Sequence, residues 1–261
     1  MSDFKHRYGP VALVTGASSG IGVGFAEELA ARGLDLVLAA RRIDRMEALK
    51  TRLESEHGVA VAVVESDLTR PEAPASLAQT CAAFDIGLVV SNAGFGAKGV
   101  FETINSELMA DMLMVNCHAP MQLAHAFLPR LKKRGKGGLV LTSSVEGLMG
   151  GPYSAAYAAT KALVIALGEG LWGEIQGSGV DVLTLTPGAT ESEAAAKQGI
   201  DPALMQNVQS ARDCARLTLD NLENGPTYCP HDHYSAMFEG MGKMPRKDAL
   251  LAMAQAMKPK S

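Results

Sequence analysis

Tyr157 and Lys161 stand four residues apart in Ala155-Ala156-Tyr157-Ala158-Ala159-Thr160-Lys161, so on a helix they share a face, one turn apart. A phenol with an ordinary pKa near ~10 is a poor acid or base at neutral pH. A fixed ammonium beside it favours the phenolate and is expected to pull that pKa down. Ser144 follows the apolar run Gly138-Leu139-Val140-Leu141 and is placed to lend a hydroxyl to the same substrate oxygen. The three side chains together make a proton-transfer site. Taken alone, Tyr-x-x-x-Lys is as readily an exposed helix face, so the surrounding elements must decide.

Gly138–Leu141 reads as a buried strand. A Gly/Pro-rich loop, Glu146 to Pro152, leads into the alanine-rich helix, which is predicted to run on to Ile175. Near the start of the chain, Val11–Thr15 is a second apolar run, followed by Gly16-Ala17-Ser18-Ser19-Gly20-Ile21-Gly22 and a helical pattern from Phe25 to Ala30. Strand, glycine turn and helix form a phosphate cradle: glycines let the backbone approach a pyrophosphate, and the helix N-terminus offers amide donors and partial positive charge. The glycine spacing is Gly-x-x-x-Gly-x-Gly rather than Gly-x-Gly-x-x-Gly. The next strand is Leu34–Ala39. A dinucleotide with a free ribose 2′-hydroxyl calls for Asp or Glu at its end, yet Ala40, Arg41 and Arg42 follow. Two guanidiniums suit a 2′-phosphate and so NADP, Arg41 more than Arg42; the other reading is a solvated basic start to the helix Asp44–Glu56.

Val59–Val64 is a third strand, with Asp67 and Leu68 after it. Asp67 either accepts a hydrogen bond from an adenine amine or caps a helix spanning Pro71 to Phe84. Ile86–Val90 is a fourth strand ending in Ser91-Asn92-Ala93-Gly94, small residues of the kind a ligand crossing a sheet edge requires. Ile104 to Leu131 is a long helical tract whose core face is Leu108, Met112, Val115, Ala119, Leu123 and Phe127. Asn116 on this tract is either a satisfied kink near Pro120 or holds a water beside a catalytic group. His118 and His125 read as surface or packing residues. Ala155, Ala158, Ala159, Ala162 and Ala166 admit close approach of a partner subunit's helix or of the sheet. Val180–Leu185 is a strand ending in Thr186-Pro187-Gly188-Ala189-Thr190.

Glu191 to Gln206 is polar and small, a mobile loop beside the strand ends. A helix over Val208–Leu222 and a short strand or turn at Gly225–Pro230 follow. Cys229, His231 and His233 lack a fourth ligand nearby, so no metal is expected. Met237, Phe238, Met241, Met244 and Met253 make a soft apolar tail over 231–261, covering the substrate pocket or touching a partner subunit. Repeated strand and helix signals give a right-handed, parallel, doubly wound α/β sheet, and no linker divides the 261 residues, so one domain is expected over 1–261.

The totals agree. Apolar content of 47% supports a sizeable core, and a net charge of −4 gives no electrostatic case for nucleic acid. No apolar run reaches the ~18 residues of a membrane span, and residues 1–7 hold no signal-peptide core, so a cytoplasmic protein is expected. Cys81, Cys117, Cys214 and Cys229 are scattered and read as reduced thiols.

In combination these residues resemble the short-chain dehydrogenase/reductase family in its single-domain form, over about residues 9 to 230. The likeness rests on Thr15-Gly16-x-x-x-Gly20-x-Gly22, Asn92-Ala93-Gly94, Asn116, Ser144, Tyr157-x-x-x-Lys161 and Pro187-Gly188, in the family's order. Ser91 and Ser192 stand where the family more often has Asn and Thr. The resemblance implies a Rossmann-type sheet with helices on both faces, a three-layer α/β/α sandwich. It implies NADP (NADPH) on Gly16, Ser18, Ser19, Gly20, Ile21, Gly22, Arg41, Arg42, Asp67, Leu68, Asn92, Ala93, Gly94, Tyr157, Lys161, Pro187, Gly188 and Thr190. Catalysis falls to Asn116, Ser144, Tyr157 and Lys161: Tyr157 moves the proton, Ser144 stabilises the substrate oxygen, Lys161 acidifies the tyrosine and grips the nicotinamide ribose, and Asn116 holds a water. The expected reaction interconverts a ketone and a secondary alcohol, on an apolar substrate given Leu148, Met149, Tyr153 and the tail. Rival expectations are a 3-oxoacyl thioester reductase, a non-catalytic NADP-binding scaffold or sensor, and a sugar-nucleotide epimerase, for which the chain is short. A homodimer or homotetramer is expected, with no nucleic-acid or membrane partner.

Overall fold

The structure, a computed structural model, describes residues 3–193 and 207–258. After a short first helix (α1, Asp3–Tyr8), strands and helices alternate: β1 Val11–Thr15, α2 Ile21–Ala31, β2 Asp35–Ala40, α3 Ile43–His57, β3 Val61–Glu65, α4 Ala73–Thr80 and β4 Ile86–Ser91. Then come α5 Ser106–Leu113, α6 Ala119–Arg134, β5 Gly137–Thr142, α7 Ala155–Glu174, β6 Val180–Leu185, α8 Ala211–Asp220 and β7 Thr227–Tyr228. Two helices close the chain, α9 Asp232–Gly242 and α10 Arg246–Met257. The seven strands pair in parallel in the order β3-β2-β1-β4-β5-β6-β7.

Helices cover both faces of such a sheet, which is why the inner strands read as unbroken apolar runs rather than alternating ones. Every residue of β1, β4 and β5 is buried. Two core layers result. Phe25, Leu29, Leu36, Leu38, Met46 and Leu53 pack on one face, and Leu13, Val89, Leu123, Phe127, Leu139 and Val164 on the other. The strand order reverses between β1 and β4, and a ligand crevice opens at the carboxyl ends of strands where that happens. The glycine turn, Asn92-Ala93-Gly94, Ser144 and Pro187-Gly188 all leave the sheet at those ends.

Local chemistry explains where the predicted elements moved. The long tract of 104–131 is three pieces, because residues 114–118 form a π turn between α5 and α6. Asn105 starts it by accepting hydrogen bonds from the Glu107 and Leu108 amides. The wider π turn rotates the helix, so a stripe counted at 3.6 residues does not run straight through it. Leu108, expected in the core, is 42% exposed. The helix expected over 208–222 is shorter, because Ser210 caps it by accepting from the Asp213 amide. Helix α7 buries Ala158, Val164 and Gly168 but leaves Ala155, Ala159, Ala162 and Ala166 exposed. From residue 194 the expected loop of 191–206 lies outside the described residues. Among the described residues no helix is long and apolar enough to cross a membrane.

Candidate active site

Thr15, the last residue of β1, ties two of the four strand ends together. Its hydroxyl accepts from the Asn92 and Ala93 amides at 3.0 and 3.1 Å, while the Asn92 carboxamide donates to the Thr15 carbonyl at 3.2 Å. The glycine turn lies beside this knot. Gly20 has φ +55°, and a Cβ on Gly22 would lie 2.2 Å from the Gly16 carbonyl oxygen, so only glycine closes the turn this tightly. No side chain caps the N-terminus of α2. Its first amides therefore point into the crevice as a seat for an anion.

Ser144 and its neighbour Ser143 divide their roles. The Ser143 hydroxyl donates to the Lys161 carbonyl at 2.7 Å and is structural. Ser144 takes the place at the crevice: its oxygen accepts from the Glu146 amide at 3.1 Å, and it is hydrogen-bonded to the Tyr157 phenol. The Tyr157 ring lies flat against Gly96, where a Cβ would be 3.1 Å from it. Lys161 is buried one turn further along α7, its ammonium 5.7 Å from the centre of the Tyr157 ring. Gly94 passes directly over that ammonium; a Cβ there would be 3.0 Å from it and 3.1 Å from the Asn116 Oδ1. Asn116, in the π turn, is held from both sides of its carboxamide: Oδ1 accepts from the Phe95 amide at 3.1 Å and Nδ2 donates to the Phe95 carbonyl at 2.9 Å. So Asn116, Ser144, Tyr157, Lys161 and Gly94, drawn from four elements, converge on one spot.

The profile of the short chain dehydrogenase family matches residues 10–203, most of the chain. The chain belongs to that family. It is 31% identical over 188 residues to the 7β-hydroxysteroid dehydrogenase of Clostridium sardiniense, covering 72% of each chain. Among solved structures, it superposes with a TM-score of 0.82 on a short-chain dehydrogenase from Sphingobium yanoikuyae in complex with NADPH, at 34% identity over 93% of this chain and 95% of the other. A bulky-bulky ketone specific alcohol dehydrogenase from Comamonas testosteroni superposes with a TM-score of 0.77 at 32% identity, over 93% and 94%. The chain is thus a short-chain dehydrogenase/reductase, an oxidoreductase of a family that binds a nicotinamide coenzyme.

The residues present fit such a coenzyme. The uncapped start of α2 and the glycine turn suit its pyrophosphate. Strand β2 ends on Ala40 with no carboxylate, and Arg42 folds back over the turn, donating to Ser18 at 3.0 and 3.2 Å and to Ser19 at 2.8 Å. Arg41 is exposed beside it. The Leu68 side chain packs in a small core with Val115 and Ala119. Asp67 does not cap α4, which has Glu72 at its N-cap; it closes a turn by accepting from the Thr69 amide and hydroxyl at 3.2 and 2.9 Å. After β6, the Pro187 carbonyl accepts from the Val145 amide at 3.1 Å, joining the two loops that flank the site, and Thr190 donates to the Gly188 carbonyl at 3.2 Å.

One expectation needs correcting. The ammonium of Lys161 does not by itself make Tyr157 acidic. Burial pushes the phenol above its ordinary value, the Glu146 carboxylate pushes it further, and only the hydrogen bond with Ser144 pulls it down. Burial also lowers Lys161 to about 8, against a smaller opposing contribution from Cys117. The Lys161 ammonium donates one of its three protons to the Thr142 carbonyl, at 2.9 Å. The polypeptide thus presents a protonated tyrosine.

Three residues in this site, Glu146, Tyr153 and Tyr234, carried no motif, whereas Thr15 opened the glycine motif. Glu146 is a lone acid in an otherwise apolar and glycine-rich loop, which was its signal. It accepts from Lys98 at 2.8 Å and from the buried Ser154 hydroxyl at 2.5 Å, and so ties the loop after β4 to the two ends of the loop that leads into α7. Tyr153 has a left-handed backbone, φ +59°, and its carbonyl accepts from the Gly99 amide at 2.8 Å. Tyr234, from α9, lies so close over Gly188 that a Cβ there would overlap its ring. The tail also packs Phe238, Ala249 and Met253 on Val145 and Met149, just beyond Ser144. Among the described residues no three His, Cys, Asp or Glu side chains cluster as a metal site.

Proposed function

We propose that this short-chain dehydrogenase is an NADP(H)-dependent oxidoreductase that interconverts a ketone and a secondary alcohol, on a bulky apolar substrate. The convergence of Ser144, Tyr157 and Lys161 under Gly94, beside a glycine cradle crossed by Arg42, carries this reading. When bound, the nicotinamide supplies or accepts the hydride. The polypeptide handles the proton. Tyr157, kept protonated by its burial, gives its hydroxyl proton to the carbonyl oxygen during reduction and takes it back during oxidation. Ser144 donates a hydrogen bond to the same oxygen and stabilises the charge developing there. Lys161, one turn along α7, offers its ammonium to the ribose and to the phenolate left after transfer. Asn116 holds the Phe95 backbone, and with it the loop that carries Gly94 and Gly96 against the site.

Arg41 and Arg42, in place of a carboxylate after β2, favour the 2′-phosphorylated coenzyme. The NADPH complex of the Sphingobium yanoikuyae relative supports this. Substrate bulk is supported by the relatives named for a 7β-hydroxysteroid and for bulky-bulky ketones, and by Leu148, Met149 and the tail beside Ser144. Four free cysteines, three of them buried, suit the reducing cytoplasm. The exposed alanine face of α7, with Leu163 37% exposed beside it, suits a helix-to-helix homo-oligomer contact.

The deciding experiment is a panel of bulky ketones and secondary alcohols followed by nicotinamide absorbance with NADPH and with NADH. Turnover of at least one bulky ketone, faster with NADPH, is expected. Failure on every ketone and alcohol while NADPH still binds would favour the scaffold reading.

A further inference from the structure

Glu193, in the segment that leaves β6, reaches across the crevice to the end of β2. Its Oε2 lies 2.7 Å from Arg42 Nη1, and its Oε1 pairs with Arg45. Arg42 simultaneously donates through Nε and Nη2 to Ser18 and through Nη2 to Ser19. One carboxylate therefore sits in a nest of two guanidiniums, against the serines of the phosphate-binding turn. Its neighbour Ser192 lies over Gly20, where an added Cβ would come within 2.9 Å of it. This is the corner of the crevice, beyond the buried end of β2, that must receive whatever distinguishes one adenine ribose from another. We propose that Glu193 is a built-in competitor for the seat of the coenzyme's 2′-phosphate, and that it sets how strongly this chain discriminates NADPH from NADH. The inference rests on the NADP reading above.

The competition follows from charge. A phosphomonoester brings about −1.5 to −2 charges and three acceptor oxygens, against the single charge and two oxygens of a carboxylate. It matches the planar donors of a guanidinium at least as well, so it displaces Glu193 from Arg42 and Arg45. A coenzyme with only a 2′-hydroxyl has nothing to exchange for the ion pairs and leaves them in place. NADPH alone thus bears the cost of breaking them. The paired side chains are about one-third to one-half exposed, 33% for Glu193, 32% for Arg42 and 47% for Arg45, so the cost is that of a surface pair. Removing the carboxylate is expected to tighten NADPH by about three- to tenfold. The gain shrinks at high ionic strength, where exposed pairs are screened.

The test is equilibrium binding of NADPH and of NADH, by coenzyme fluorescence and by calorimetry, to wild type, Glu193→Gln and Glu191→Gln. Glu191 carries the same charge two residues earlier and is exposed. The expected result is a lower Kd for NADPH in Glu193→Gln, a change under about twofold for NADH, and no comparable gain in Glu191→Gln. An unchanged or weaker NADPH affinity in Glu193→Gln would overturn the proposal. So would an equal gain for both coenzymes, or the same gain in Glu191→Gln, which would show only the loss of a negative charge. Equal binding of both coenzymes by wild type and by Glu193→Gln alike would overturn the NADP reading itself. A preference for NADPH that Glu193→Gln leaves untouched would overturn the competitor alone.

Discussion

Lys161 donates to the Thr142 carbonyl at 2.9 Å, from a side chain so enclosed that the residue is only 3% exposed. A strand end thus holds the ammonium against the cost of burying it. That cost appears as the lowering of Lys161 to about 8 from 10.5. The unfolded chain therefore binds more protons at this group between about pH 8 and 10.5, and the folded state gains stability as pH rises through that window. Below it, the charged form is a standing destabilisation. Lys161→Met is expected to abolish turnover yet raise the melting temperature at neutral pH by about 2–4 °C. The gain should narrow near the top of that window, where the wild-type amine is already neutral. Scanning calorimetry at several pH values checks this; a lower melting temperature at neutral pH would show that the hydrogen bond outweighs the desolvation.

Tyr157→Phe keeps the ring against Gly96 and removes only the hydroxyl. Turnover is expected to fall by about 10²–10⁴, with NADPH affinity nearly unchanged in a fluorescence titration. Retention of most activity would take the proton away from this residue.

Glu146 acts on the same phenol by charge. Its carboxylate, second only to burial, raises the Tyr157 pKa. Glu146→Gln removes a charge that disfavours the phenolate, so the phenol should ionise at lower pH. The alkaline rise in the rate of alcohol oxidation is expected to move down by about half a unit to one unit. Measurement of kcat against pH for both proteins reads the shift. Movement upward would mean that the clamp with Lys98 and Ser154 matters through geometry instead.

Arg41 and Arg42 should separate in their effects. Arg41 is exposed, so Arg41→Ala is expected to weaken NADPH about tenfold and leave NADH nearly alone. Arg42 also holds Ser18 and Ser19. Arg42→Ala should therefore weaken both coenzymes, NADPH the more. Fluorescence titration of each variant with each coenzyme distinguishes them; equal losses in Arg41→Ala would remove the phosphate contact from that residue.

Much of this molecule was legible because its signals are local. An apolar run flanked by glycine, as at Val11–Thr15 and Val180–Leu185, is a buried parallel strand whatever its neighbours, and both strands appear with those bounds. Tyr157 and Lys161 are bound together by helical pitch alone. Leu108 shows where such counting fails. A π turn six residues later is set by Asn116 finding the Phe95 backbone, a partner 21 residues away in sequence that no periodicity records.

Sequence alone carried the order of the strands, the glycine turn, and the spacing that makes Ser144, Tyr157 and Lys161 candidates, because each depends on residues within a few positions of one another. Only the tertiary structure decided their electrostatics. Burial and the Glu146 carboxylate leave Tyr157 protonated, and the Thr142 carbonyl accepts one hydrogen bond from the Lys161 ammonium. It also decided that Glu193 meets Arg42, about 150 residues away in the chain. Solvent exclusion and charge proximity are properties of the packed chain, and no spacing along it contains them.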